Sequence, residues 1–231
     1  MSEPGRQARD LLRGPPIAHR GLWRRGGAPE NSLAAFDAAC AAGYGDELDV
    51  RLSSDGEAMV FHDPELKRMT GAAGRIADHT AADLAELRLA GTDEPIPTLA
   101  QVLACVAGRS LTLIELKTDP GAEGPLEARV AEIIDGYDGP VAIIGFNPLS
   151  HGWFAEHRPD VLRGLNLERV RGAETVAAVA EARPQFLLPG RTLTLKPPYD
   201  AFPSVVWTIR SAREASALRK ADNIIFEDYM P

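Results

Sequence analysis

The chain has two cysteines, 6% aromatic residues, no long apolar run and no excess of positive charge. Each shortage excludes something. Cys40 and Cys105 are too few for a disulfide framework, and each falls in an apolar helical pattern. They are expected as buried small hydrophobes in a cytoplasmic protein. A formal net charge of −8 argues against a nucleic acid or an anionic membrane surface as partner. No stretch approaches the roughly 20 apolar residues of a membrane span. The first ten residues, Met-Ser-Glu-Pro-Gly-Arg-Gln-Ala-Arg-Asp, lack the apolar core of a secretory signal. Internal repeats, low-complexity segments and an inter-domain linker are also missing. What is present is 45% hydrophobic and 25% charged residues in 231, enough for a soluble chain with a substantial core. That length suits one barrel-sized domain over residues 1–231.

The densest chemistry lies in residues 46–63. Two strand-like runs flank Asp55-Gly56, a strong signal for a two-residue hairpin turn. Glu47 and Asp49 alternate with Leu48 and Val50, so both carboxylates share one face. With residue 54 opposite 57, Asp49 is expected opposite His62, their Cβ atoms about 5 Å apart.

Around this hairpin the chain alternates strand and helix. Residues 1–14 read as frayed or as a short helix over one end. Strands are expected from residues 17, 47, 111, 141, 161, 185, 205 and 224 onward, the first ending on His19-Arg20-Gly21. Asn31 is the expected cap of a helix carrying Leu33, Phe36 and Cys40 and ending at Gly43. Residues 64–97 read as a polar insertion with one helix capped by Thr80, and Thr98 with Gln101 makes a capping box beyond it. Ser211 and Glu214 box the last helix. Eight strands interleaved with helices predict an α/β fold, a (β/α)8 TIM barrel. Residues 189–204 are too rich in proline for a full helix, so the helix before the seventh strand should be reduced. A doubly wound open sheet competes, but no glycine-rich phosphate turn follows the first strand.

On this map the notable polar residues fall at strand C-terminal ends, the catalytic face of a barrel. His19 and Arg20 end the first strand, Glu47 and Asp49 the second, Glu115 and Lys117 the third. Three converging carboxylates suit a hard cation, Mg²⁺ or Ca²⁺, and would repel one another without it. His19 and His62 could serve as acid and base. Arg20 and Lys117 supply positive charge for an anionic group.

His19-Arg20-Gly21, Pro29-Glu30-Asn31-Ser32, Glu47-Leu48-Asp49-Val50, Val60-Phe61-His62-Asp63, Ile96-Pro97-Thr98-Leu99, Ile114-Glu115-Leu116-Lys117 and Val206-Trp207-Thr208 follow one another in order. Together they resemble the glycerophosphodiester phosphodiesterase family over nearly the whole chain. The resemblance implies a TIM barrel that cleaves glycerol phosphodiesters to an alcohol and glycerol 3-phosphate with a divalent cation. It places the cation on Glu47, Asp49 and Glu115, makes His19 and His62 the acid–base pair, and gives the phosphate to Arg20 and Lys117. Glu30 would orient the site or approach the metal. The family's route is attack by the substrate's own glycerol hydroxyl, through a cyclic phosphate that water opens. Residues 64–97 match its insertion, expected to cap one side of the site. Gly145-Phe146-Asn147, the reduced 189–204 segment and Arg210 depart from the common pattern, all in the later half of the barrel where the leaving alcohol would be recognised.

Plainer readings stand beside these. Lys117 could only pair with Glu115, and Arg20 with Glu30. Trp207 is equally a core residue or a contact for a glycerol moiety. His79, His151 and His157 read as surface residues, and Glu227-Asp228 as a solvated turn. A lysophospholipase D acting on amphiphilic diesters, and an inactive barrel that binds phosphate esters, are the alternative functions.

Overall fold

The computed structural model describes residues 3–218 and 220–231. Its strands are β1 (Ile17–His19), β2 (Gly45–Leu52), β3 (Ala58–Val60), β4 (Thr112–Leu116), β5 (Val141–Gly145), β6 (Arg163–Leu167), β7 (Phe186–Pro189), β8 (Val205–Ile209) and β9 (Asn223–Phe226). All but β3 run parallel, in the order β7-β6-β5-β4-β2-β1-β9-β8. Single bridges from Leu187 to Ser204 and from Gly190 to Trp207 bring β7 against β8 and nearly close the ring. This is the predicted TIM barrel. One strand starts later than expected: Val161 sits in a turn, and pairing begins at Arg163.

The side chains alternate across the barrel wall. Leu48, Val50, Ile114 and Ile143 join Phe36, Leu99 and Phe154 in the layer beneath the helices. Ile17, Leu113, Ala142 and Ile144 cluster instead with Phe186, Val205 and Ile225 as the barrel interior. Residues 3–12 form a helix that covers the end where the strands begin. Its Ala8 and Leu12 are fully buried in the interior cluster, and burying one leucine contributes about 2–3 kcal/mol. The Asn223 side-chain amide ties this helix down by donating to the Leu12 and Pro15 carbonyls. With that end closed, the opposite end of the barrel carries the polar strand termini.

Local signals explain most of the helices. Thr80 caps its helix as expected, in a box with Asp83, and the expected box of Thr98 with Gln101 forms. At the last helix Ser211 accepts from the Glu214 N–H, while the Glu214 carboxylate takes the Arg210 N–H instead of completing a box. Residues 189–204 hold only a 3-10 turn at Tyr199–Ala201, as the prolines predict. A helix at Pro125–Asp135, which none of the motifs above marks, starts with proline in its first turn, and its Glu127 accepts from the Gly124 N–H. Residues 64–97 are less polar than expected. They fold over a cluster of their own, in which Leu66, Ile76, Leu84, Leu89 and Ile96 pack on Met59 and Phe61.

Four expectations need correction. Ser32, not Asn31, caps the helix Leu33–Ala41, because Asn31 takes a left-handed backbone (φ 58°) that turns its amide inward. The hairpin pairs Val50 with Val60 and Leu52 with Ala58, so partners sum to 110 rather than 111. Its loop has three residues, 54–56, with Gly56 left-handed at φ 85°. Ser53 stabilises that longer loop, its hydroxyl donating to Asp55 at 2.6 Å and accepting from the Glu57 N–H at 2.8 Å. The residue that faces Asp49 is therefore Phe61, whose N–H donates to the Asp49 carbonyl at 2.9 Å, and His62 is not its cross-strand neighbour. Cys40 and Cys105 are half-buried free thiols, and Cys40 lies against Asp46 and Ser110.

The fourth correction is His151. It is fully buried on the helix Pro148–His157 and bonds the Gly145 carbonyl at 3.1 Å, whereas His157 is exposed and His79 half-buried. Among the described residues, no helix is long and apolar enough to cross a membrane. Burial pushes His151 down to about 4, with Arg163 adding to the shift and the Gly145 carbonyl opposing it. An unfolded histidine binds its proton below about 6.5, so between about 6.5 and about 4 only the unfolded chain is protonated at this site. Lowering the pH through that window should cost about 3 kcal/mol of stability. Urea denaturation of His151→Gln should show that part of the pH dependence removed.

Candidate active site

Parallel register assembles the site. Pairing of β1 with β2 sets His19 beside Glu47, and pairing of β2 with β4 sets Asp49 beside Glu115. Every second residue of β2 and β4 faces the interior, so Glu47, Asp49 and Glu115 turn toward one another at the strand ends. Each offers an oxygen within 4.8 Å of the others, and none is more than 7% exposed.

Three buried carboxylates need positive charge, and the neighbouring residues supply part of it. Lys117 Nζ lies 2.5 Å from Glu115 Oε1 and 3.0 Å from Asp49 Oδ1. Arg20 Nε lies 3.1 Å from Asp49 Oδ2, and the Arg20 backbone N–H donates to Glu47 Oε2 at 3.0 Å. The result is uneven. Burial alone would raise Asp49, but Lys117 and Arg20 outweigh it and hold the group well below the usual range. Burial pushes Glu47 up to about 8, and the Asp49 charge adds to the rise. At Glu115 burial likewise wins over the pull of Lys117. Glu47 Oε1 is buried and finds no hydrogen-bond partner among the described residues. All-oxygen donors with one unpartnered buried carboxylate oxygen make a centre compatible with a divalent cation.

Both histidines are held by carboxylates through Nδ1. His19 bonds Glu227, whose other oxygen takes Arg210 Nη2 at 3.1 Å, and its Nε2 faces Glu47 at 3.9 Å. Burial would lower His19, but Glu227 and the Glu47 charge raise it. Glu227 is therefore no plain solvated turn. It follows the last strand, which pairs with β1, so ring closure brings it to His19. His62 Nδ1 lies 2.7 Å from Asp63 Oδ1. Burial lowers His62, the Lys117 and Arg20 charges reinforce the shift, and Asp49 opposes it. The one-residue slip in the hairpin has not removed His62 from the field of Asp49.

Other residues brace the cluster. Glu30 faces Arg20 at 2.8 Å and Arg68 at 2.7 and 2.9 Å, and stands outside the carboxylate triad. Asn31 donates to Asp49 Oδ2 at 2.9 Å and accepts from the Asp49 N–H at 3.4 Å. Composition marks Asn31, Asp63, Arg68 and Glu227 in no special way. Asp63 was hinted at by its place next to His62 and Glu227 by its place after the last strand, Asn31 stood out only as a cap, and nothing in the sequence marked Arg68. Trp207 donates its indole N–H to the Leu188 carbonyl at 2.7 Å and meets Phe146 edge to face, ring centroids 5.4 Å apart. A cavity of about 320 Å³, lined by Arg51, Asp119, Phe146 and Asn147, opens beside Glu115 and Lys117.

An eight-stranded parallel barrel with an acidic, cation-compatible centre and two carboxylate-held histidines at its strand ends places the chain among TIM-barrel proteins with a site on the catalytic face. Residues 19–148 match the model of the glycerophosphoryl diester phosphodiesterase family, and the chain belongs to that family. A glycerophosphodiester phosphodiesterase of Caldanaerobacter subterraneus subsp. tengcongensis is 35% identical over 148 residues, 58% of either chain. The chain spans about half the length of the curated relatives it matches. A phosphodiesterase of Oleispira antarctica, solved in complex with the product sn-glycerol-3-phosphate, superposes with a TM-score of 0.82 at 26% identity over 91% of each chain. A glycerophosphodiester phosphodiesterase of Thermotoga maritima gives 0.75 at 28% identity, covering 92% of this chain and 94% of that one.

Asn31→Ala would leave the buried Asp49 without two hydrogen bonds and put alanine at a left-handed backbone position. Urea denaturation should show a loss of about 1–3 kcal/mol.

Proposed function

We propose that the chain hydrolyses a glycerophosphodiester to an alcohol and glycerol 3-phosphate, with Glu47, Asp49 and Glu115 holding Mg²⁺ or Ca²⁺ and His19 and His62 as the acid–base pair. The observation that carries the reading is the triad of buried carboxylates at the strand ends, one oxygen unpartnered, beside two histidines and two cationic side chains. A bound divalent cation would supply Lewis-acid polarisation of a phosphoryl oxygen. Arg20 and Lys117 receive the anionic phosphodiester, and Glu30 keeps the Arg20 guanidinium in place. Because Glu227 and Asp63 occupy the two Nδ1 atoms, each imidazole keeps Nε2 for proton transfer. One imidazole takes the proton of the attacking hydroxyl and the other gives a proton to the departing alkoxide, so charge does not accumulate. On the family's route that hydroxyl belongs to the substrate glycerol, and water then opens the cyclic phosphate. The edge-to-face Phe146 and Trp207 are candidates to contact the organic part of the substrate.

A second reading, amphiphilic diesters of the lysophospholipid kind, has one observation in its favour. A cavity of about 700 Å³ flanks His19 on the side of Glu227, with Leu22, Trp23, Phe226 and Tyr229 among its walls. The cavity beside Glu115 is smaller, about 320 Å³, which favours short glycerophosphodiesters.

Purified protein with Mg²⁺ or Ca²⁺ should release glycerol 3-phosphate from glycerophosphocholine or a related diester, and EDTA should abolish it. Turnover of lysophosphatidylcholine alone would favour the second reading; failure on both panels with every divalent cation would overturn the assignment. His62→Ala should lower kcat by about 10²–10⁴-fold with the fold intact, and retention of most of the rate would remove His62 from the chemistry.

Metal binding can be read without activity. At a concentration about 100 times its Kd, the cation should stabilise the protein by about 2.7 kcal/mol, raising Tm by about 5–10 °C. Glu47→Gln should lose most of that rise, and an equal rise in the variant would place the cation elsewhere.

A further inference from the structure

Arg68 is the residue through which the segment inserted after the hairpin reaches the site. It lies on the short helix Lys67–Thr70, and its single guanidinium engages two carboxylates along two edges. Nε and Nη2 meet Asp63 at 2.5 and 3.1 Å, while Nη1 and Nη2 meet Glu30 at 2.9 and 2.7 Å. Each carboxylate has a second partner in the site. Asp63 Oδ1 holds His62 Nδ1 at 2.7 Å, and Glu30 Oε1 holds Arg20 Nη1 at 2.8 Å. Arg20 Nε then meets Asp49 at 3.1 Å. A line of alternating charge thus runs unbroken from Asp49 through Arg20, Glu30, Arg68 and Asp63 to His62.

The Arg68 side chain is 45% exposed, so it fills no place in the core, and exposed ion pairs contribute little to stability. What a guanidinium adds is direction. Its donors form a planar fork that holds each of two carboxylates by a pair of hydrogen bonds at a fixed angle, which a lysine ammonium on a flexible stem cannot do. Asp63 and Glu30 are pinned relative to each other by the same rigid group. The angle of the His62 ring and the place of the Arg20 guanidinium follow from it.

We propose that Arg68 is a positioning residue for the phosphodiesterase reaction, fixing His62 through Asp63 and Arg20 through Glu30, so that docking of the inserted segment sets a proton-transfer group and a phosphate-binding group together. The inference rests on the activity proposed above. It explains why a segment outside the barrel carries one charged group directly against two site carboxylates. It also gives Glu30 a use that does not require it to touch a metal.

The test compares Arg68→Lys and Arg68→Gln with Arg75→Gln, a control in the same segment whose side chain is 51% exposed and 3.7 Å from Asp119. Both Arg68 variants should lose about 10- to 100-fold in kcat while keeping the wild-type urea midpoint, and Arg75→Gln should keep the wild-type rate. Ring ¹⁵N spectra should show His62 protonated at Nδ1 in the wild type and a mixture of tautomers in Arg68→Gln. Wild-type kcat in Arg68→Lys, or unchanged His62 signals in Arg68→Gln, would overturn the proposal. If the wild-type protein turns over no glycerophosphodiester, the proposed activity fails by itself, and the His62 spectra alone decide whether Arg68 positions the ring.

Discussion

Three carboxylates buried within 4.8 Å of one another are the constraint that the rest of the site answers. Apolar surroundings disfavour charge, and like charges at this distance disfavour it further. Lys117 and Arg20 relieve Asp49 but leave Glu47 far less compensated, which is why the two neighbours end up shifted in opposite directions although burial raises both. An imbalance of that kind costs stability, and a chain with no use for it would hold apolar residues there instead. The barrel keeps it where parallel register and strand alternation leave the side chains no other direction to point.

Around the cluster the charges are layered. Glu30 faces Arg20, Arg68 faces Glu30 and Asp63, and Arg210 faces Glu227. Arg20 near the centre has Glu30 behind it, and the acids behind the two histidines each have an arginine. Such a network holds long side chains in single orientations, which isolated surface pairs do not. Its members come from several loops and from the inserted segment, so the geometry of the centre depends on parts of the chain remote from the barrel strands.

Much of this was legible before the fold was known. Eight strand-like runs separated by helical patterns point to a barrel, and a barrel brings its strand C-termini to one face. From that alone, His19, Glu47, Asp49, Glu115 and Lys117 belong together. The hairpin shows where such reasoning overreached. Asp55-Gly56 suggested a two-residue turn, but the Ser53 hydroxyl favours a loop longer by one, and one residue of slip puts Phe61 opposite Asp49. His151 misled for a related reason: a single histidine on a short helix carries no mark of the face it presents, and packing against β5 buried it.

What the sequence determined by itself was periodicity and order: which residues alternate along a strand, where helices start, and which acids and bases end the strands. Those properties are local, fixed by backbone geometry over a few residues. What only the tertiary structure decided was partnership. Glu227 reaches His19 because the last strand lies beside the first, Asn31 turns from cap to ligand of Asp49 because its backbone is left-handed, and Arg68 meets Glu30 because the inserted segment folds on its own small core. Contacts between residues tens to hundreds of positions apart depend on closing the ring and docking the insertion, and no short window of sequence contains that information.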